Sequence, residues 1–309
     1  MDIFGQQLIN GLVLGSIYAL VALGYPMVYG ILELINFAHG EVTMLGAMIG
    51  IAFMDAMLTS TTGVPGLAVL AAGLAASIAV CMGIGFSLER VAYRPLRQAP
   101  RLAALITAIG MSIVLQNVAM LIWGKQYINF PPVVTLEKYN VGGAIITNLQ
   151  IAIVILSCLL MMGLLALVRF TSLGRAMRAT AQSTETASLM GINVNRVISA
   201  TFIIGASLAA VAGVMNAAYY GIAHYTMGFT LGLKAFSAAV LGGIGNIPGA
   251  MLGGLLLGLI ESLGAGYLGQ LTGGFLGSHY QDVIAFFVLI LVLVLRPSGL
   301  LGERVGERS

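Results

Sequence analysis

Residues 151–168 read IAIVILSCLLMMGLLALV, a run with no charged side chain. A helix needs about 20 mostly apolar residues to cross the hydrocarbon core of a bilayer, so this stretch reads as a membrane span. Residues 283–295, VIAFFVLILVLVL, are equally apolar. Working outward, comparable segments lie near 8–30, 37–57, 64–86, 102–123, 149–168, 197–220, 232–264 and 281–295. The segment 232–264 is too long, and too often interrupted by Gly and Pro, for one straight helix. It predicts a broken or re-entrant element, or two short passes.

Composition agrees. Of 309 residues, 59% are hydrophobic and 8% charged, about a third of the charged share of a soluble domain. Such a surface would aggregate in water. The 41 glycines fit a bundle in which small residues let helix backbones approach closely, as in AAGLAASIAVCMGIGF (71–86) and IGASLAAVAG (204–213). The fold class expected is all-α: a single polytopic domain over 1–309, with about eight or nine spanning segments and broken or re-entrant elements near 30–46 and 232–250. The N-terminus lacks a basic leader, and its apolar run continues past Tyr29, which points to a first membrane helix rather than a cleaved signal. Cys81 and Cys158 lie inside apolar runs and are expected to be small buried hydrophobes.

Charge placement orients the chain. Arg90, Arg94, Arg97 and Arg101 fall in 87–101; Arg169, Arg175, Arg178 and Arg196 in 169–196; Arg296, Arg304 and Arg308 in 296–309. These are eleven of the 14 Lys and Arg residues. Positive charge accumulates on the cytoplasmic side, so these regions, the C-terminus included, are expected there. The connections 124–148, 221–231 and 266–280 then face outward, and 232–264 dips in and returns or crosses twice. An N-terminus outside is favoured. A net charge of +3 gives no reason to expect a nucleic-acid partner; lipid is the expected surrounding. No G-x-x-x-x-G-K-[ST] motif is present, so ATP-driven transport would need an ATPase on another polypeptide, and this chain would carry no cofactor of its own.

Three features carry chemistry. GRAMRATAQSTETASLMGINVNR (174–196) is too polar to span and too apolar for a solvated loop. Its composition favours a short amphipathic cytoplasmic helix over about 176–190, with Gly191 as its C-cap. That helix either rests on lipid headgroups or docks a cytoplasmic partner. The second feature is the polar cluster Glu33, Asn36, His39 and Glu41. Ionisable groups at membrane depth usually face a protein interior or a water path, so these residues either line a translocation path or sit at the interface. The third is the 232–264 element, interrupted by Gly242, Gly243, Gly245, Pro248 and Gly249. Irregular backbone at this depth must be buried or line a cavity. Gly242, Gly245 and, further along, Glu261 are candidate path residues on that ground. Gln116 and Asn117 are expected to make interhelical hydrogen bonds. Trp123, Tyr219, Tyr220 and His224 are expected in an interfacial aromatic belt. No His, Cys and carboxylate grouping is dense enough for a metal, and no catalytic arrangement is present.

TETASLMG (184–191) resembles the coupling loop of ABC importer permeases. With ERVAYRPLR (89–97), INFAHGEVTMLGA (35–47) and AFSAAVLGGIGNIPGAMLGG (235–254), the chain resembles, over nearly its whole length, the LivH-like permeases of branched-chain amino acid ABC transporters. The resemblance implies ATP-driven alternating access of branched-chain or related amino acids in the inner membrane. It also implies a second homologous permease subunit, two cytoplasmic ATPase subunits that bind ATP, and a periplasmic substrate-binding protein. Glu185, Ala187, Ser188, Gly191 and Ile192 would then form the ATPase-coupling site. Relatives that serve urea or short-chain amides, and a self-sufficient channel or facilitator for a small solute, remain the alternatives.

In a cysteine-free background, single cysteines at Arg97 and Lys138 are expected to react with a membrane-impermeant thiol reagent from opposite sides of the membrane. Labelling of both from one side would overturn the topology.

Overall fold

A computed structural model describes residues 2–60, 63–97, 99–271 and 280–302. Among them the order is α1 (Asp2–Leu32), α2 (His39–Ser60), α3 (Gly66–Leu88), α4 (Arg101–Trp123), β1 (Ile128–Asn129), β2 (Lys138–Val141), β3 (Ala144–Thr147), α5 (Asn148–Phe170), α6 (Ser172–Gln182), α7 (Thr184–Leu189), α8 (Val194–Tyr220), β4 (Ile222–Ala223), α9 (Met227–Gly242), α10 (Ile247–Leu271) and α11 (Gln281–Leu295). A π-helical turn, Glu89–Tyr93, and a 3₁₀ turn, Arg94–Leu96, continue α3. Seven helices are long and apolar enough to cross a membrane, and α9 and α11 are shorter apolar helices. The chain is a polytopic helical membrane protein. Arg304 and Arg308 of the expected cytoplasmic tail, and residues 272–279 of the expected outer connection, lie outside the described residues.

The chain divides into two compact units: one of Met1–Pro26, Leu136–Met161 and Lys234–Ser309, the other of Met27–Thr135 and Met162–Leu233. In the second, α2, α3 and α8 pack through small residues. A Cβ on Gly46 would lie 2.6 Å from the Ala210 Cα, and one on Gly85 would lie 2.6 Å from the Ala206 Cβ. Ser77 donates across to the Gly46 carbonyl at 2.7 Å. Around these contacts Met44, Met48, Ile51 and Met54 form an apolar core with Val69 and Ala119.

The first unit uses the same device. On α1, Gly11, Gly15 and Ala19 recur every fourth residue, and on α10 so do Gly254 and Gly258. A Cβ on Gly11 would meet the Leu259 Cα at 2.9 Å, one on Gly15 the Leu255 Cα at 2.8 Å, and one on Gly258 would strike the backbone of Gly15. Lipid tails are as apolar as Leu, so helices associate here by close contact rather than by escape from water. Helices α9 and α10 meet likewise at Gly242, Gly249 and Gly253.

The region 232–264 is thus two helices, interrupted at residues 243–246. Pro248 is the second residue of α10, where a missing N–H matters little. The connection 124–148 holds more structure than expected. Strands β2 and β3 form a hairpin with Val141 opposite Ala144. Its turn residues, Gly142 and Gly143, have φ of 60° and 88°, as a two-residue turn of the I′ kind demands. Strand β1 pairs antiparallel with β4, Ile128 opposite Ala223, which joins two connections expected on the same side.

Gly258→Leu is expected to destabilise the first unit by about 3 kcal/mol or more through overpacking, read as a fall in the thermal midpoint of the purified protein. Gly30→Ala, with nothing within 4 Å of its added carbon, should change it by less than about 1 kcal/mol. Equal effects would overturn the assignment of the α1–α10 contact.

Candidate functional site

Helix α1 ends at Leu32, and Glu33 takes a φ of 53° while its N–H donates to the Tyr29 carbonyl at 2.8 Å. A non-glycine residue in this left-handed region is uncommon. The backbone then runs irregularly to α2, whose first residue is His39. The two sides of this break are tied into the protein. The Tyr93 hydroxyl donates to Asn36 Oδ1 at 2.7 Å. Asn36, His39 and Glu41 are all buried, whereas Glu33 is exposed. The structure therefore brings Asn36, His39 and Glu41 together in the interior at the start of α2.

Glu41 is 1% exposed. Its Oε1 accepts from the Ser112 hydroxyl at 3.1 Å, and its Oε2 has no hydrogen-bond partner. Gly228, in the first turn of α9, lies against that oxygen. A Cβ on Gly40 would meet the Gly232 Cα at 2.7 Å. The first turns of α2 and α9 are therefore in backbone contact.

In the other unit, Gly242 and Gly245 flank the break between α9 and α10. The segment after α11 closes this break: the Leu300 N–H donates to the Leu241 carbonyl and the Leu301 N–H to that of Gly242, each at 2.9 Å. Asn246 Nδ2 donates to the Leu301 carbonyl at 2.8 Å. The last carbonyls of a helix lack intrahelical partners, and here the chain's own turn after α11 supplies them.

Glu261, on α10, is also 1% exposed. Lys234 Nζ of α9 lies 2.8 Å from Glu261 Oε1 and 2.8 Å from Asp282 Oδ1 of α11. It also donates to the Tyr18 hydroxyl of α1 at 3.3 Å, and that hydroxyl donates to Glu261 Oε1 at 3.1 Å. One ammonium thus ties four helices of the unit together. Charges within a bilayer are retained where they pair. Sequence reasoning gives Lys234 no partner and passes over Asp282 and Tyr18. A lysine and two carboxylates in otherwise apolar helices was the available signal.

The segment expected as one helix over 176–190 is two, α6 and α7, because Ser183 leaves the helix (φ −161°, ψ 114°) and caps α7, accepting from the Thr186 N–H at 3.2 Å. Ser is among the residues that favour an N-cap over a helix interior. Thr171 caps α6 and Asn193 caps α8. Helix α6 buries Gly174, Met177 and Thr180. Its Arg175 donates to the Phe170 carbonyl at 3.5 Å and Arg178 to that of Val168, which satisfies the end of α5. Gly191 ends α7 with φ 84°. Its N–H donates to the Ser188 carbonyl and the Ile192 N–H to that of Ala187, each at 3.0 Å, the paired bonding of a Schellman motif. Ala187 is buried; Glu185, Ser188 and Gly191 are exposed and Ile192 is half-buried. Leu189 and Met190 are 82% and 79% exposed, two large apolar side chains at the tip that sequence reasoning did not single out.

Beside this tip, Arg97 pairs with Glu89, which also accepts from Ser199 at 2.7 Å. Arg97 Nη1 donates to Asn195 Oδ1 at 2.5 Å. The loop 87–101 is thereby fastened to the start of α8. Burial lowers the Arg97 pKa, and the Glu89 carboxylate offsets this in part. Two smaller expectations are corrected. Asn117 donates to the Ile113 carbonyl of its own helix at 2.8 Å rather than to a neighbour. Cys158 is exposed, while Cys81 is buried. His224 stacks on Tyr127 with ring centroids 4.5 Å apart, and one ring nitrogen lies 2.7 Å from the Thr226 hydroxyl and the other 3.1 Å from the Lys125 carbonyl, which clips two connections together. Among the described residues, no three His, Cys, Asp or Glu side chains group to hold a metal.

Comparison with known proteins gives one family. The model described as "Branched-chain amino acid transport system / permease component" matches residues 7–293. The high-affinity branched-chain amino acid transport system permease protein LivH of Escherichia coli (strain K12) is 47% identical, covering 99% of this chain and 97% of the relative. BraD of Pseudomonas aeruginosa, a permease protein of the same description, is 49% identical over 98% and 97%. A probable LivH of Methanocaldococcus jannaschii is 27% identical over 97% and 94%. No solved structure matches.

Lys234→Met leaves Glu261 buried without its cation and is expected to destabilise the protein by roughly 3–5 kcal/mol. The triple variant Lys234→Met, Glu261→Gln, Asp282→Asn should recover most of the loss. Thermal unfolding of the purified variants checks this; a triple variant no better than the single one would overturn the pairing.

Proposed function

From the premise that the chain belongs to the family of branched-chain amino acid transport permease components, we propose that it is the membrane-spanning subunit of an ABC importer for branched-chain amino acids in the cytoplasmic (inner) membrane. The single observation that carries this reading is family identity over nearly the whole chain, backed by helices that span and no domain of another kind among the described residues.

Hydrolysis of ATP falls to two separate cytoplasmic ATPase subunits, a second permease subunit completes the membrane core, and a periplasmic binding protein delivers substrate. This chain contributes no catalysis. The coupling site is the α6–α7 segment. Leu189 and Met190 form an apolar tip that enters a groove on the ATPase. Glu185 and Ser188 are its polar rim. Ala187, Gly191 and Ile192 hold the tip rigid through the Schellman turn. Rigidity matters because a docked helix transmits motion only if it moves as a body. ATP binding draws the two ATPases together and displaces α6 and α7, and the path opens outward to receive substrate. The buried residues Asn36, His39 and Glu41 belong to that path.

As part of the same proposal, we assign the C-terminus to the cytoplasm. Support comes from the Arg-rich regions, from the Arg97–Asn195 contact that joins two of them, and from the β1–β4 pairing that joins two Arg-free connections.

The test is reconstitution with the partner subunits in liposomes. ATP-dependent uptake of leucine, isoleucine or valine is expected from the full complex and not from this chain alone; uptake by the chain alone without nucleotide would favour a facilitator. Leu189→Ser with Met190→Ser, or Glu185→Arg, is expected to lower uptake at least tenfold while the complex loses ATPase or hydrolyses ATP without transport. Normal uptake in both variants would overturn the docking role.

A further inference from the structure

We propose that Glu41 binds the ammonium group of the transported amino acid, and that the first turn of α9 receives its carboxylate. This rests on the importer function proposed above and deepens it by naming the substrate-binding residue.

Glu41 is a carboxylate held inside a membrane bundle at 1% exposure, with one hydrogen bond, from the Ser112 hydroxyl. Among the described residues no Lys, Arg or His forms an ion pair with it, and its second oxygen is buried without a partner. The contrast with Glu261 is informative. That residue lies at the same burial but has Lys234 2.8 Å away. An ionised carboxylate in such surroundings needs a cation, and among the described residues one stands at Glu261 and none at Glu41. On the proposal, a ligand brings that cation.

The surroundings select which cation. Oε2 faces Gly228, where a side chain would collide with it, so the bare backbone of the first turn of α9 borders the carboxylate. The first N–H groups of a helix lack intrahelical partners and carry partial positive charge. Helix α9 has 16 residues, and Gly40 and Gly232 hold its start against that of α2. A carboxylate beside a helix start offers complementary seats for the two charges of a zwitterion. The adjoining core of Met44, Met48 and Ala223 is apolar, as an aliphatic side chain requires. With Gly228 against Oε2, the proposed site admits substrate only when the first turn of α9 withdraws.

A protonated, purely structural Glu41 predicts the opposite outcome for one substitution, because Gln is close in shape to the neutral acid. The test uses the assembled permease–ATPase complex without the binding protein, whose own selectivity would mask the site. Ligand-detected NMR gives affinities for leucine and for 4-methylpentanoate, which lacks the ammonium. In the unsubstituted complex leucine is expected to bind at least tenfold more tightly than 4-methylpentanoate. Glu41→Gln should remove that preference, leaving the affinity for 4-methylpentanoate unchanged and the thermal midpoint retained. Glu41→Asp should fall between. Unaltered leucine affinity in Glu41→Gln overturns the proposal. If the variants fail to assemble, equal affinity of the unsubstituted complex for the two ligands overturns it as well. With the binding protein added back, absence of ATP-driven leucine uptake by the unsubstituted complex would instead overturn the importer function, whereas uptake with an indifferent Glu41→Gln overturns the Glu41 assignment alone.

Discussion

Contact of backbone against backbone at glycine is the interaction on which the rest of this protein depends. In lipid, an apolar side chain gains little by turning inward, so helices adhere through dispersion, which acts only at short range. The reciprocal insertion of Gly11 and Gly15 into Gly254 and Gly258 brings α1 and α10 close enough for Tyr18 to reach Glu261. Similarly, Gly40 and Gly228 bring α2 and α9 close enough for bare backbone to border Glu41. The polar chemistry of each unit is thus set by the placement of residues that carry no side chain.

Both helix breaks obey a second constraint: their freed backbone groups are satisfied by protein. At the break before α2 the His39 N–H donates to the Asn36 carbonyl and the Val42 N–H to that of Ala38, each at 3.1 Å, and the break after α9 is covered by the segment 299–302. Each break permits a helix to begin or end inside the bundle, where its terminal charge is useful and where a continuous span would present only apolar surface. The two buried glutamates divide accordingly. Glu261 is neutralised by a lysine fixed in the fold, which makes it a brace. Glu41 has no such cation among the described residues, and this is the ground for the receptor role proposed for it.

Much of this was legible in the sequence, and the failures are specific. The spans were found because an apolar run of helical length has few other meanings in a chain this poor in charge. The break in 232–264 was visible in its glycines and Pro248. The division of 176–190 at Ser183 was missed because serine is tolerable inside a helix and its capping role shows only once its backbone has turned. The β2–β3 hairpin was announced by Gly142–Gly143 but lay in a stretch read only for its charge. The Lys234–Glu261–Asp282 network was illegible for a different reason: each residue looked like a terminal or interfacial charge, and only the packing of four helices brings them together. Glu41 was singled out as a carboxylate at depth, yet neither Ser112 nor Gly228 was identifiable as its neighbour without the tertiary contact.

The segment after α11 shows how such a chain can be handled. Leu300 and Leu301 extend α9 by hydrogen bonding to its last carbonyls, so the trailing residues behave as a plug inserted from outside the sequence of that helix. An affinity tag or fluorescent fusion joined after residue 302 leaves the plug seated. One joined before Leu300 pulls it out, uncovering two carbonyls and the glycine-rich turn they protect, and the damage would appear at the α9–α10 junction, far along the chain from the splice.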